Sequence, residues 1–489
     1  MSAEPVYLDY AATTPVDARV ASLVHDVLRQ GLGNSAAAHA SGARAHALIE
    51  TARAQVAALI GARAEQIVFT SGATEANNLA ILGTLQAALA KRDAHVITLA
   101  TEHKSVLEPV RTLATRGVAT TELKPDNDGL LDPKVLERAL RPQTRLVTLL
   151  HVNNETGVAQ DIAALSAVCQ RHSVPLHVDA SQSAGKLPLD VAGIDLLSLT
   201  AHKLGGPQGV GALFVSDRHR GRLQPQILGG GQERGMRAGT LATHQVAAFG
   251  LACELAATSR EVETQRVAAL RDQLWRGLSS LPEVLLNGHP TQRVPGILNV
   301  SFPGVEGESL FAALTGLTLS TGSACNSRSG EPSYVLRALG RDSQLAQSSL
   351  RFSFGRDTTT AQIDTAIEMV SEAYLRLRDA TPASAPPIAD WQGQGDRYVG
   401  EAGAARLGTW VRFALRVLDG VVQEARVQVY GCPHTLAACS QLALGFRGRP
   451  LAALAAGTPE QWRVAVSAPI EKLGRMLIIE DALGALRPT

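Results

Sequence analysis

The sequence predicts an α/β protein with a large domain on a mainly parallel sheet, a smaller αβ layer, and a separate compact α+β tail. Three observations carry that expectation. Short β-branched runs alternate with longer Ala/Leu-rich stretches of helical period from about residue 50 to 255. From about residue 258 the pattern changes to a long charged helix and a second αβ region. "TPASAPPIADWQGQG" (381–395) mixes Pro, Ala, Gly and Ser without periodicity and reads as a linker.

Taken in order, "QIVFT" (66–70), "HVITLA" (95–100), "TRLVTLLHV" (144–152), "VPLHVD" (174–179), "IDLLSLT" (194–200) and "GALFV" (211–215) read as buried strands. Helix patterns run over 74–89 and 161–172 between them. The charged helix is expected over 258–281, followed by the strand "GILNVSF". Residues 1–380 are therefore one unit: a large domain of about 15–257, and a small one of about 258–380 with the N-terminal segment. The linker follows at 381–395 and the tail at 396–489.

A chain of 489 residues exceeds the usual single-domain size, in keeping with that division. Net charge is +1, with 46 basic against 45 acidic residues, which gives no electrostatic reason to expect nucleic acid or an anionic membrane surface. No apolar run reaches the roughly 18 residues of a membrane span, and the first residues lack the basic and apolar regions of a signal peptide. Five scattered cysteines do not make a disulfide scaffold, so the expected compartment is the cytoplasm, where thiols stay reduced.

In open α/β sheets, ligands sit beyond the carboxyl ends of the strands. The polar residues that follow the predicted strands should therefore converge. Ser71-Gly72-Ala73-Thr74-Glu75 is a small-residue turn opening a helix, a cradle for an anion such as phosphate. Glu102-His103 and Asn153-Asn154-Glu155 follow two further strands; Asp179 ends another, with Gln182 just beyond. Thr200, His202 and Lys203 close the set before a glycine-rich turn. A lone strand-end lysine is more often a solvated charge. A lysine, an aspartate, a stacking histidine and a phosphate cradle together are what pyridoxal 5'-phosphate requires.

The motifs "LDYAATTPVD", "VFTSGATEANNLAI", "ATEHKSVL", "HVNNETGVAQDI", "HVDASQSAGKLPLD", "AHKLGGPQGVGAL" and "GGGQERGMRAGTLATHQ" resemble the pyridoxal-phosphate-dependent cysteine desulfurases of the NifS/IscS type. The resemblance runs from about Val6 to Asp379. It implies the fold-type I transferase architecture and a homodimer with composite sites. It also implies roles, position by position. Lys203 is the Schiff-base lysine and the base for the Cα proton; His103 stacks on the ring and helps in proton transfer. Asp179 pairs with the ring nitrogen, and Gln182 contacts the phenolic oxygen. Ala73, Thr74, Thr200 and His202 hold the phosphate, joined by Thr240 of the second subunit. Asn154 lies against cofactor and substrate, and with Arg351 binds the substrate carboxylate, for which a guanidinium fork is well shaped.

Cys325, in "LSTGSACNSRSGEPSYVLRALG", lies amid Ser, Gly, Asn and Arg, the context of a loop thiol. The resemblance makes it the thiol that takes sulfur from L-cysteine, leaving alanine and a persulfide, on a long loop that can reach an acceptor protein. Cys169 and Cys253 sit in apolar helical contexts and read as core.

The tail, from about Tyr398 to Leu486, resembles iron–sulfur scaffold proteins of the IscU/NifU N-terminal type, through "ARVQVYGCPHTLAACSQL", "GFRGRPLAAL" and a terminal "EDAL" helix. Those scaffolds hold a cluster on three cysteines, of which only Cys432 remains. Ala404, Ala405 and Arg406 stand at the first ligand site, Gly474 and Arg475 at the last. One thiolate cannot hold a cluster, so no metal is expected. Cys439 reads as core, and sulfur acceptance by Cys432 stays open. Two alternatives remain: a selenocysteine lyase-type activity, and a chain that serves mainly as a regulatory or interaction protein in sulfur transfer.

Overall fold

A computed structural model of the chain describes residues 4–89, 94–321, 332–379, 393–454 and 457–489, with the side chains of residues 87–89 and 406 left out. Cys325 and most of the expected linker lie outside the described residues.

The large domain is built on seven strands: β1 (Ile67–Thr70), β2 (His95–Leu99), β3 (Ala119–Leu123), β4 (Thr144–Leu150), β5 (Leu176–Asp179), β6 (Leu196–Thr200) and β7 (Gly211–Val215). They lie in the order β1-β7-β6-β5-β4-β2-β3. All neighbours are parallel except β7, which runs against both β1 and β6. Alternate residues of a strand point to opposite faces. Phe69, Val147, Val178, Leu197, Leu199 and Phe214 accordingly enter one core, while Val68, Val96, Leu146, Leu196, Leu213 and Val215 enter another. Cover on both faces is why these runs read as continuously apolar. β3 escaped the sequence reading because "ATTEL" is a mostly half-exposed edge strand with no such run.

The helix expected over 74–89 spans Ala73–Leu89, and that over 161–172 spans Ile162–Arg171, with Asp161 capping it through a 3.0 Å bond from the Ala164 amide. The charged helix is longer than expected: one 36-residue helix, Thr243–Leu278, rather than 258–281. Its first half, "THQVAAFGLACELAA", is apolar and small and carries no polar stripe to announce it. It packs against the helix Ala40–Leu59 so closely that a Cβ on Gly250 would stand 2.5 Å from Ala52 Cα. Val246, Phe249 and Cys253 belong to the large domain's core, whereas Val267, Leu270, Leu274 and Leu278 belong to the small domain's. The helix ties the two together.

The small domain carries an antiparallel sheet in the order Ser320–Thr321, Ser349–Ser353, Ile297–Ser301, Leu285–Leu286. The N-terminal strand Val6–Tyr7 pairs with Leu317–Thr318, and Leu8 is part of this core. The tail is an antiparallel meander, Asp396–Ala404, Thr409–Leu418 and Val421–Tyr430, packed against the helices Pro433–Phe446, Pro459–Ala465 and Leu473–Gly484. It docks on the small domain. Ser309 Oγ donates to the Gly431 carbonyl at 2.6 Å, Tyr430 OH donates to the Val305 carbonyl at 3.2 Å, and Lys472 Nζ meets Glu308 at 2.8 Å.

Candidate active site

The carboxyl ends of β1, β2, β4, β5 and β6 open into a cavity of about 620 Å³. Ala73, Thr74, His103, Asn154, Asp179, Gln182, Thr200, His202, Lys203 and Arg351 all line it. Thr240 does not: it is exposed on the surface outside the cavity.

On one wall, Gly72 precedes the helix Ala73–Leu89, whose first amides face the cavity beside Thr74, Thr200 and His202. Gly211 must be glycine, since a Cβ there would lie 2.5 Å from the Leu199 carbonyl and 2.7 Å from Gly72 Cα. The turn is also braced from outside, where Glu75 accepts from the Ser71 amide at 2.8 Å and pairs with Arg237 at 2.8 Å. Burial, with Lys203 and Lys186 nearby, holds His202 down to about 4, so it is a neutral donor or acceptor at pH 7. Amides at a helix N-terminus beside hydroxyls suit a phosphate.

On the floor, Asp179 Oδ1 accepts from the Ser181 amide at 2.9 Å and from Ser181 Oγ at 2.5 Å, and Oδ2 accepts from Asn77 Nδ2 at 2.8 Å. Burial alone would raise this carboxyl; the hydrogen bonds and the nearby His103 outweigh it and keep the group below its ordinary value. It is thus an ionised acceptor, as a protonated ring nitrogen requires. His103 caps the helix Lys104–Thr115, its Nδ1 taking the Ser105 amide at 3.1 Å. Ser105 Oγ lies 2.7 Å from the same nitrogen and accepts from Asn77 at 2.8 Å, so imidazole and carboxylate are set by one chain of bonds. Burial and the Lys203 and Lys104 charges lower the His103 imidazole against the pull of Asp179. Asn77, Ser105 and Ser181 were not singled out from the sequence, because nothing in their spacing shows that they converge.

Lys203 stands at the end of the single turn Ala201–Lys203 that follows β6. Arg351, from the small domain's sheet, is 1 % exposed. Its Nη1 donates to the Asn154 carbonyl at 2.8 Å, and its Nη2 donates to Asp9 at 2.7 Å and to Ser320 Oγ at 2.9 Å. Its Nε is buried with no hydrogen-bond partner among the described residues. Beside it, Glu155 takes the Ser333 hydroxyl, and Tyr334 OH donates to the Glu102 carbonyl at 2.7 Å. These contacts tie the helix Tyr334–Ala338 to the large domain. Burial pushes Glu155 up to about 7 and raises Glu102 well above the carboxylate range.

A family model described as "Aminotransferase class-V" matches residues 6–365. The chain belongs to the class-V aminotransferases. Among its relatives are proteins named cysteine desulfurase IscS. That of Colwellia psychrerythraea is 50% identical over 383 residues, covering 77% of this chain and 95% of the relative. That of Proteus mirabilis is 52% identical over the same length and shares. Among solved structures, a NifS-like protein superposes with a TM-score of 0.71 at 31% identity, covering 76% of this chain and 100% of the other. A structure titled SspA in complex with cysteine gives 0.65 at 36% identity, covering 71% and 98%. The family's cofactor is pyridoxal phosphate, and the ionised Asp179, the helix N-terminus at Ala73 and the lysine at Lys203 fit its nitrogen, phosphate and aldehyde.

In the tail, Cys432 is fully buried at the N-terminus of the helix Pro433–Phe446, with Thr435 Oγ1 at 3.3 Å. Arg475, in the same region, pairs with Glu306 at 3.4 Å: burial would lower that guanidinium, but the Cys432 and Glu306 side chains outweigh the effect and raise it. Cys439 is buried in the tail's core, and Cys169 and Cys253 in the large domain's. No cluster of metal-ligating side chains occurs among the described residues.

Proposed function

We propose that the chain is a pyridoxal-phosphate-dependent cysteine desulfurase, taking L-cysteine to L-alanine and passing its sulfur to Cys325 as a persulfide that an acceptor protein collects. The observation that carries the reading is the convergence of Lys203, Asp179 and His103 in one cavity that the buried Arg351 also lines. The IscS relatives at about 50% identity support the same activity.

Arg351 and Asn154 orient the substrate through its carboxylate. Pyridoxal phosphate, when bound, supplies the electron sink that makes the Cα proton labile. The Lys203 amine takes that proton from Cα, and Asp179, held ionised, keeps a positive charge on the ring nitrogen. The Cys325 thiolate bonds to the substrate sulfur as the carbon–sulfur bond breaks. The electron pair left on carbon is protonated, giving alanine, and the sulfur remains on Cys325. His103, neutral at pH 7, moves protons near the thiols. The enzyme works as a homodimer in this reading, with Thr240 completing the partner's phosphate site. The final acceptor would be an iron–sulfur scaffold or another thiolation protein, in the cytoplasm.

The tail is proposed to be a scaffold-like domain without a cluster, seated on the desulfurase that it would otherwise meet as a separate protein. Arg475, at the position where the scaffold resemblance expects a ligand, puts a cation where a metal ion would need one.

Mass spectrometry after turnover with L-cysteine tests the reading. Persulfide should appear on Cys325, and Cys325→Ser should form none while keeping the bound cofactor's absorbance. Persulfide formation that survives Cys325→Ser or Lys203→Ala would sink it.

A further inference from the structure

A second cavity, of about 460 Å³, lies behind Lys203, walled by Tyr10, Leu204, Val267 and Phe354. Lys186 also lines it, yet its side chain crosses to the active site, where Nζ donates to Gln182 Oε1 at 3.3 Å. The other end of the same amide, Gln182 Nε2, donates to the Ala11 carbonyl at 2.8 Å. The two bonds agree on one orientation, because a flipped amide would place its oxygen on a carbonyl and its NH₂ on an amine. Gln182 is 3 % exposed, so water cannot easily replace either partner.

Lys186 itself is held in place through its backbone. Thr264 Oγ1, on the helix Thr243–Leu278, donates to the Lys186 carbonyl at 3.0 Å. A Cβ on the preceding Gly185 would lie 2.7 Å from Leu204 Cδ2 and 2.8 Å from Ala256 Cβ, so the turn is pressed against both.

We propose that Lys186 is a positioning residue: its amine fixes the Gln182 amide so that Nε2 is presented to the cofactor's phenolic oxygen. The proposal rests on the reading of Gln182 given above. Burial, with the neighbouring Lys203 and Arg351 charges, brings the Lys186 amine down to about 7. An amine near neutrality still donates a hydrogen while adding little repulsion against Lys203.

The test is a double-mutant cycle on the holoenzyme, read by the pH titration of the bound cofactor's absorbance and by cofactor Kd. Gln182→Ala should shift the midpoint. Lys186→Met should shift it in the same direction by about 0.5–1 pH unit and raise the Kd about three- to tenfold, the scale of one hydrogen bond. The double variant should match Gln182→Ala alone, and Lys186→Arg, which keeps a donor, should recover part of the shift. If Lys186→Met does not fold, Lys186→Gln, too short to reach, is read in its place. Additive shifts, or a native titration in Lys186→Met while Gln182→Ala is shifted, would overturn the role of Lys186. No shift in Gln182→Ala would overturn the reading of Gln182 itself, and the proposal with it.

Discussion

At the scale of single residues, the site depends on holding opposite charge states in two buried carboxyls. Asp179 stays ionised although buried because three donors reach it, whereas Glu102, also buried, has among the described residues one, the Leu150 amide at 2.7 Å, and none at its Oε2. Burial therefore wins at Glu102 and raises it. The linkage follows. Below its unfolded value of about 4.5 the group is protonated in both states and costs nothing. Above that value the unfolded chain ionises while the folded one does not, so stability falls as pH rises toward the folded value. Glu102→Gln keeps the acceptor for Leu150 and removes the titration. Denaturant unfolding of the loaded enzyme should find the variant equal to native near pH 4.5 and more stable by about 1 kcal/mol or more at pH 8. Equal curves at both pH values would refute the raised carboxyl. Asp179→Asn should lower kcat/KM about 10²–10³-fold, since a neutral amide cannot hold a protonated ring nitrogen.

At the scale of elements, the cradle depends on how closely β7 and β6 approach the Ser71–Thr74 turn. Gly211 is where they touch, with Leu199 on one side and Gly72 on the other. Gly211→Ala should cost about 1–3 kcal/mol by overpacking, and it should weaken cofactor binding by pushing the turn outward. Equilibrium unfolding and cofactor titration check the two effects separately; loss of stability with unchanged cofactor affinity would separate the strand contact from the cradle. Elements were legible where the local pattern was strong. Five of the seven strands are wholly buried runs, and the sequence places all five. The edge strand β3 and the front half of Thr243–Leu278 were not legible: one has mixed polarity, and the other is small and apolar without period, so neighbours rather than pattern decide their form.

At the scale of the whole molecule, the tail closes over its own thiol. Cys432 is buried, Gly431 and Tyr430 are bonded to the small domain, and Lys472 and Arg475 face Glu308 and Glu306. Sulfur transfer to Cys432 therefore requires this seam to part. Alkylation under native conditions, followed by peptide mass spectrometry, should leave Cys169, Cys253, Cys432 and Cys439 unmodified. Glu308→Lys, which sets two cations against each other, should raise labelling at Cys432 but not at Cys439, which is enclosed by the tail's own core. Equal labelling of the two would mean the tail unfolds rather than swings.

The sequence by itself determined the chemistry: a lysine, an aspartate, a histidine and an anion cradle at successive strand ends, because an open α/β sheet gathers such ends along one edge. Only the tertiary structure decided which side chains tune that chemistry. Asn77, Ser105 and Ser181 set Asp179 and His103 through bonds as far as 102 residues apart along the chain. Arg351 comes in from the small domain to meet the Asn154 carbonyl of the large one. Hydrogen bonds form between neighbours in space, and folding alone makes these residues neighbours.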